Sequence, residues 1–419
     1  METKFYHSPI DEQYTSLVMN QLFSEDMKYT TWRRLWLALA AAEKELGIDI
    51  SDEQLEEMDE YLSNINYDVA NMKYVETGDI VAAHIYAFGQ QAKSAAGIIG
   101  LGAVASFVIG NTEIMNMRDG LQLIRSKLLD VIKRLADFSD GNKTVLALGY
   151  YKMTSATTIG KRSALWLQNF VDNLSELDFV ISGMRMLGCA GEIGSSENIM
   201  KLFNGDEEKC KALDRMIAEE FEFEPSSEAY IVGPNTYTVN HPEVYAVSGR
   251  SYPRNLDYQV LNVLAAIGAS AYKMAQDICL LQRDGELNDS QDFMMLCNQV
   301  CSMARFLSGL PTMAWQAAAT QRLEWTQDET KHEIYVPDAF RASDAILILC
   351  LKMLENMSVN RGKISAKVAM RFQPEMQKSD LVGRCVSQVS DYLKNTVRPL
   401  VTAECAEICT KMKIWRPGT

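Results

Sequence analysis

Hydrophobic positions along this chain fall at helical spacing over unusually long stretches. Between residues 113 and 138, Ile114, Met117, Leu121, Ile124, Leu128, Leu135 and Phe138 share one face and form a stripe about seven turns long. A second stripe starts at Thr157 and runs through Ile159, Trp166, Phe170, Leu174, Leu177, Ile181 and Met184, and a third covers Leu256 to Leu281. The pattern predicts three helices of about 25 to 30 residues, where an ordinary helix has about a dozen. Stripes of that length must bury one another, which predicts a helix bundle.

The flanks carry shorter patterns. Trp32, Leu35, Trp36, Leu39 and Leu46 make one amphipathic face closed by Gly47, and "SDEQ" at 51–54 reads as a capping box that opens the next helix. From Pro337 onward, "DAFRASDAILILCLKMLENM" and "VGRCVSQVSDYLKNTVRPLV" predict two more helices. There is no βαβ alternation, glycine-rich phosphate loop or internal repeat. The fold class is therefore all-α, in three parts: an N-terminal helical domain over 1–110, a central long-helix bundle over 111–336 and a short C-terminal helical domain over 337–419.

Composition narrows the function classes. The chain has 419 residues, 47% hydrophobic and 23% charged, with a formal net charge of −14. This is the balance of a globular protein, and no basic stripe is present to follow a nucleic-acid backbone. The apolar run "AAGIIGLGAVASFVIG" at 95–110 is too short and too rich in Gly and Ala to span a bilayer, so a cytoplasmic protein is expected. Nine cysteines without framework spacing read as reduced thiols. Cys297 with Cys301, and Cys405 with Cys409, sit one helical turn apart, but without nearby histidines they read as core packing rather than metal ligands. No metal and no cofactor is expected.

Specific motifs go further than composition. "YHSPIDEQY" at 6–14, "FSEDMKYTTWRRLWLALAAAEKELGIDISDEQLEEM" at 23–58, "IIGLGAVASFVIGNTEIMNMRDGL" at 98–121, "TTIGKRSALWLQ" at 157–168 and "LNVLAAIGASAYKMAQDICLL" at 261–281 together resemble the adenylosuccinate lyases of the aspartase/fumarase superfamily. The resemblance implies the superfamily fold, a homotetramer whose clefts are built by three subunits, and elimination of fumarate from a succinyl-purine nucleotide. It also implies a histidine acid, a serine on a mobile loop, and basic and hydroxyl groups that hold carboxylates and phosphate.

Set against that pattern, the chain departs where the chemistry should be. Tyr150 stands at the family's T-H-x-Q-P-A-Q histidine, followed by Lys152 and Ser155 at the two glutamines. A tyrosine, with a pKa near 10, is a poor proton exchanger at pH 7. Gly78, Asp79 and Ile80 replace the Arg-His-Asp of R-H-D-V-M-A-H, which keeps only its last histidine, His84. Val104 and Ala105 replace a substrate-holding Thr-Ser pair, Gln13 replaces an arginine, and "DETKHE" at 328–333 stands for D-D-S-A-N-R-R. The S-S-x-M-P-x-K-x-N-P loop is missing from 283–300, leaving Ser290 in an acidic turn, and the C-terminal lobe is shortened around "RFQPEMQKSD". The segment 224–249 is longer than its counterpart.

These positions define the candidate site. His84, Tyr150 and Lys152 are the candidate catalytic groups. For His84 the alternative is a packed core histidine, and for Lys152 a solvated surface lysine. Asn111, Thr112, Arg254, Tyr14 and Lys161 are candidate ligand contacts, with helix capping open for the first two and bundle ion pairs for Lys161 and Arg162. His241 and Tyr237 belong to the inserted segment, read either as a lid or as a passive surface loop. Function then has three readings: a repurposed enzyme acting on a different small anionic or nucleotide-like substrate in the old cleft, an inactive scaffold or regulator that partners a true lyase, or ordinary adenylosuccinate lyase.

Overall fold

The computed structural model describes residues 8, 10, 13–151, 154–232, 235–287, 291–323, 329–372 and 381–402. Its N-terminal part is a run of short helices: α1 (Leu17–Leu22), α2 (Glu25–Glu45), α3 (Asp52–Glu60), α4 (Tyr67–Thr77) and α5 (Ile80–Gln91). Each opens on a short polar side chain. Ser16, Ser24, Ser51, Asn66 and Asp79 accept hydrogen bonds from first-turn backbone N–H groups, and Ser51 with Gln54 completes the expected capping box. Each cap contributes about 1 kcal/mol. Arg33, fully buried in α2, ties the group together: it donates to Tyr61 O, to Asn64 O at 3.0 Å and to Gln91 Oε1 at 2.9 Å, over the face of Phe88.

Beyond this cap the fold rests on five long helices, two more than the stripes predicted. They are α6 (Ala105–Gly141), α7 (Ile159–Ser182), α10 (Asn255–Arg283), α11 (Gln291–Thr320) and α12 (Glu329–Asn356). Between α7 and α10 lie α8 (Glu197–Leu202) and α9 (Glu207–Glu220), and α13 (Arg361–Ala369) and α14 (Cys385–Tyr392) follow the bundle. α6 packs on α7 and α12, while α10 packs on α11, α12 and α7. Leu121, Ile124, Leu128, Phe170, Leu174, Ile267, Leu307 and Phe340 meet in one continuous core. Each such side chain contributes about 1.5–3 kcal/mol by leaving water. Among the described residues no helix is long and apolar enough to cross a membrane.

α12 runs straight through the boundary expected at 336/337. Pro337 lies inside it, as Pro311 lies inside α11. A proline in a helix interior costs about 3 kcal/mol. Here Tyr335, Val336, Ala339 and Phe340 are all buried against the bundle around it, and that burial exceeds the cost.

Two small antiparallel hairpins interrupt the helices. β1 (Leu146–Leu148) pairs with β2 (Ala156–Thr158), and β3 (Ser226–Val232) pairs with β4 (Asn235–His241). The first leads into α7 through "TTIGKR", and the geometry gives three of these residues a structural task. Thr158 caps α7 by accepting from Lys161 N at 3.1 Å. Gly160 lets α7 approach the end of α6, since a Cβ there would lie 2.4 Å from Ser139 O and 2.5 Å from Lys143 Cα. Arg162 donates to Leu148 O and to Glu286 Oε2, the latter at 2.6 Å.

Both contacts at Gly160 are to backbone, so no rotamer change relieves them. Gly160→Ala is expected to lower stability by about 3 kcal/mol, read as a reduced urea midpoint. An unchanged midpoint would show that the close approach is not needed.

Candidate functional site

The described residues hold one concentrated cluster of buried charge, and it sits at the N-terminal end of α10. Arg254 Nη1 lies 2.8 Å from Glu113 Oε2 on α6 and 3.5 Å from Asp257 Oδ2 one turn along. It also donates to the Tyr252 hydroxyl at 2.6 Å, and that hydroxyl donates to Asp257 Oδ1 at 2.9 Å. His332 on α12 completes the set: Nε2 is 3.1 Å from the same hydroxyl, and Nδ1 is 3.5 Å from Glu113 Oε1. Arg254, Asp257, Tyr252 and His332 are all buried.

Burial alone would discharge such groups, so their protonation follows from each other. Burial pushes the His332 imidazole towards neutrality, but Glu113 and Asp257 hold its pKa above the ordinary histidine value. Burial would raise Asp257, yet His332 first, then Arg254 and the Tyr252 hydroxyl, keep it below the usual carboxylate range. Arg254 and an imidazole biased towards its charged form therefore face two carboxylates across three helices.

The cluster reaches the surface at one notch. A cavity of about 20 Å³, room for about one water, is lined by Ser106, Ile109, Gly110, Glu113, Arg250, Ser251 and Arg254. Glu113 and Arg254 form its charged floor. Arg250, half-exposed, pairs only loosely with Glu192 at 3.5 Å. The buried Ser106 Oγ has no hydrogen-bond partner, and Val104 leaves the N-terminus of α6 without a side-chain cap. These donors suit an oxygen-bearing anionic group.

A second feature is the connection from α10 to α11, residues 284–290, of which 288–290 lie outside the described residues. Its described part, 284–287, is fastened. Gly285 turns the chain at φ +69°. Glu286, buried, pairs with Arg162 at 2.6 Å, and its carbonyl accepts from Asn360 N at 2.9 Å. Leu287 bridges Val359.

Comparison with known proteins places this architecture. The chain is 32% identical over 373 residues to the adenylosuccinate lyase of Schizosaccharomyces pombe, covering 84% of this chain and 74% of that protein. It is 33% identical over 382 residues to the adenylosuccinate lyase of Saccharomyces cerevisiae, covering 87% and 76%. The chain belongs to the adenylosuccinate lyase family. No family model matches it. Among solved structures, it is similar in fold to a fumarate lyase from Mesorhizobium sp. BNC1, with a TM-score of 0.70 at 16% identity over 97% of this chain and 92% of that one. It is also similar to the 3-carboxy-cis,cis-muconate lactonizing enzyme of Pseudomonas putida, with a TM-score of 0.72 at 16% identity over 96% and 88%. The all-α class expected from the long stripes, and the superfamily fold that the resemblance implied, are thus the observed ones.

Within this adenylosuccinate lyase frame the candidate residues scatter. Arg254 is in the cluster and at the cavity floor. Asn111, fully buried, donates to Phe107 O and Gly188 O and accepts from Leu187 N and Gly188 N, so its amide fastens the 187–188 loop to α6. Thr112 is buried, its hydroxyl without a partner. Tyr14 accepts from Gln299 Nε2 at 3.1 Å. Tyr150 is 60% exposed in the β1–β2 connection, and Lys152 lies outside the described residues, as do Ser290, Cys405 and Cys409. Lys161 is half-buried in the first turn of α7 and, unlike Arg162, has no acidic partner among the described residues. His241 ends β4 against Arg185. The side chain of Tyr237 lies outside the described residues. His241 does not line the cavity.

His84 is placed in the core of the N-terminal helices. Its ring stacks on Tyr29 at 3.7 Å, meets Trp32 edge-on at 5.7 Å, and leaves Nδ1 buried without a hydrogen bond. Burial first, then the charges of Arg33 and Lys28, push its pKa down to about 4. It is neutral at pH 7 and packs as an aromatic ring, the alternative its sequence context had left open. Gly78 and Asp79 form the joint between α4 and α5, with Gly78 at φ +70° and Asp79 accepting from Val81 N and Ala82 N.

The groups that sequence reasoning missed are Glu113, Tyr252, Asp257 and His332. Arg254 and Asp257 stand at i and i+3, a usable signal, whereas Glu113 and His332 are distant in sequence and carry none.

Because the unfolded chain binds a proton on His84 below about pH 6.5 and the folded chain does not until about pH 4, its contribution is present above pH 6.5 and is lost as pH falls. The loss is about 3 kcal/mol. Burial pushes the Glu43 carboxyl up to about 8, and it titrates in the opposite sense, so the readout is the difference between wild type and His84→Phe. Urea melts should show the wild type losing about 3 kcal/mol relative to the variant between pH 7 and pH 4. A difference independent of pH would contradict the buried neutral imidazole.

Proposed function

We propose that this member of the adenylosuccinate lyase family no longer eliminates fumarate from adenylosuccinate and instead acts on another small anionic or nucleotide-like ligand. The site is the cleft between the start of α6 and residues 250–254. The observation that carries the first half is the fastened turn at 284–287. Where the family resemblance puts a mobile serine loop, the Arg162–Glu286 ion pair and the Leu287–Val359 bridge hold a short connection. A group that must close over substrate and take a proton has no such freedom within 284–287. The neutral, buried His84 and the exposed Tyr150 support the same reading. Ser106, Arg250 and Ser251 around the cavity support ligand binding.

A second reading, an inactive scaffold or regulator that partners a true lyase, is favoured by one observation. Arg254, the cation at the cavity floor, is already paired with Glu113 and Asp257. In either case we propose a cytoplasmic homotetramer. An open groove of about 610 Å³ along α7 and α10, floored by Phe179, Val180, Val263 and Ala266, offers an apolar face for neighbouring subunits.

Purified protein is expected to release no fumarate from adenylosuccinate, since each missing proton-transfer group is worth about 10² to 10⁴ in rate. Turnover at the level of an ordinary lyase would overturn the proposal. Sedimentation at micromolar concentration tests the tetramer, and a monomer would contradict it. To separate the two readings, calorimetric titration with a panel of dicarboxylates and nucleoside monophosphates compares wild type with Arg250→Met. Binding weakened about tenfold in the variant supports the ligand site, the scale of one charge-assisted hydrogen bond. Absence of binding by the whole panel favours the scaffold.

A further inference from the structure

Glu43 lies in the last turn of α2 and is fully buried, and among the described residues neither of its carboxyl oxygens has a hydrogen-bond partner. Here α2 packs on α9. Three residues on, Leu46 O accepts from Lys209 Nζ of α9 at 2.7 Å, which commits that lysine. The other groups of α9 and of the loop after α7 bring no cation: Cys210 donates to Met200 Sδ at 3.4 Å, and Asp214 Oδ1 accepts from Cys189 N at 2.7 Å. On α2 itself Arg33 is committed to Tyr61 O, Asn64 O and Gln91. Of the remaining elements against α2, α1 has no titratable side chain and Asp52 of α3 pairs with Lys44. His84 of α5 is neutral, and Glu113 and Arg118 of α6 pair with Arg254 and Asp119.

We propose that Glu43 is a proton-operated latch: protonated, it lets α2 pack on α9, and ionised, it opens that junction and frees the loop at 187–190. A carboxylate left in the closed junction would have neither donor nor cation, so ionisation and packing exclude one another. The loop follows because it is held from two sides. Asp214 ties Cys189 N to α9, and Asn111 ties Leu187 N and Gly188 N to α6. Leu187 in turn occupies the space beside Gly110, where a Cβ would lie 2.7 Å from its Cδ2, and Gly110 lines the cavity at the start of α6. The latch works whatever that cavity binds.

The direction of the response follows from the two states of the carboxyl. Burial pushes it from 4.5 up to about 8 in the closed junction, whereas solvated in the open one it keeps its ordinary value. The closed state therefore holds the extra proton between these limits. Its advantage is complete below about pH 4.5 and is lost as pH rises to about 8. Asp214, pushed up to about 6 by burial, titrates in the same sense at lower pH. Burial holds the Cys189 and Cys210 thiols above their ordinary value, so they stay protonated throughout.

Hydrogen–deuterium exchange of the full chain tests the latch, read at peptides covering 187–190 and 207–220. Wild type is compared with Glu43→Gln at matched pH, which cancels the intrinsic pH dependence of exchange. Between about pH 6.5 and 7.5 the ratio of wild-type to variant exchange rates should rise about tenfold, the linkage of one proton, and level off above about pH 8. Glu43→Met, of similar length and without the carboxyl, should match the Gln variant. A ratio that stays flat with pH, or a rise shared equally by peptides of α10 and α12, would overturn the proposal. Should both variants fail to fold, wild type carries the test: protection at the two peptides must fall relative to α10 over the same range, and constant relative protection would overturn the proposal equally.

Discussion

The structure depends on the pairing of buried charge at Arg254. A guanidinium, an imidazole and two carboxylates lie in a hydrophobic interior, where a charge left alone would cost several kcal/mol. They come from α6, from the start of α10 and from α12, so the three helices can pack in only one relative position without exposing or orphaning a charge. The Tyr252 hydroxyl sits between the cations and Asp257 and fills the remaining hydrogen-bonding needs of the group. The notch at the start of α6 inherits its floor from this network. Its shape is therefore as rigid as the bundle.

Rigidity is also the theme at the other end of α10. The family chemistry calls for a loop that moves, yet here Arg162 reaches from α7 to a buried carboxylate in the turn and to a strand carbonyl in β1. One side chain thereby joins a hairpin, a helix and a connection. The stretch "TTIGKR" has a structural role in these contacts. Thr158 caps, Gly160 permits close approach and Arg162 clamps.

Sequence patterns exposed some features of this molecule and hid others for identifiable reasons. The stripes of α6, α7 and α10 were legible because each presents one apolar face over many turns. α11 escaped because its small and sulfur-bearing residues blur that face, and α12 was cut at Pro337 because proline normally ends helices. At the site, Arg254 was found through a motif, but its partners were not. His84 was ambiguous because a histidine on an apolar helix face reads alike whether it packs or reacts, and only the stacked Tyr29 and the desolvation around it settle its charge. Asn111 was equally ambiguous until the loop it holds was in view.

By itself the sequence determined the all-α class, the long-helix bundle and the capped N-terminal helices. These follow from periodicity and from local capping chemistry, which act over a few neighbouring residues. It also revealed which family positions had changed. Only the tertiary structure decided which charges meet and which histidine is packed neutral and which lies between carboxylates. Those outcomes depend on burial and on partners contributed by distant helices, and electrostatic energies in a low-dielectric interior change by several kcal/mol with separations of a few ångströms. No local pattern in the chain encodes such distances.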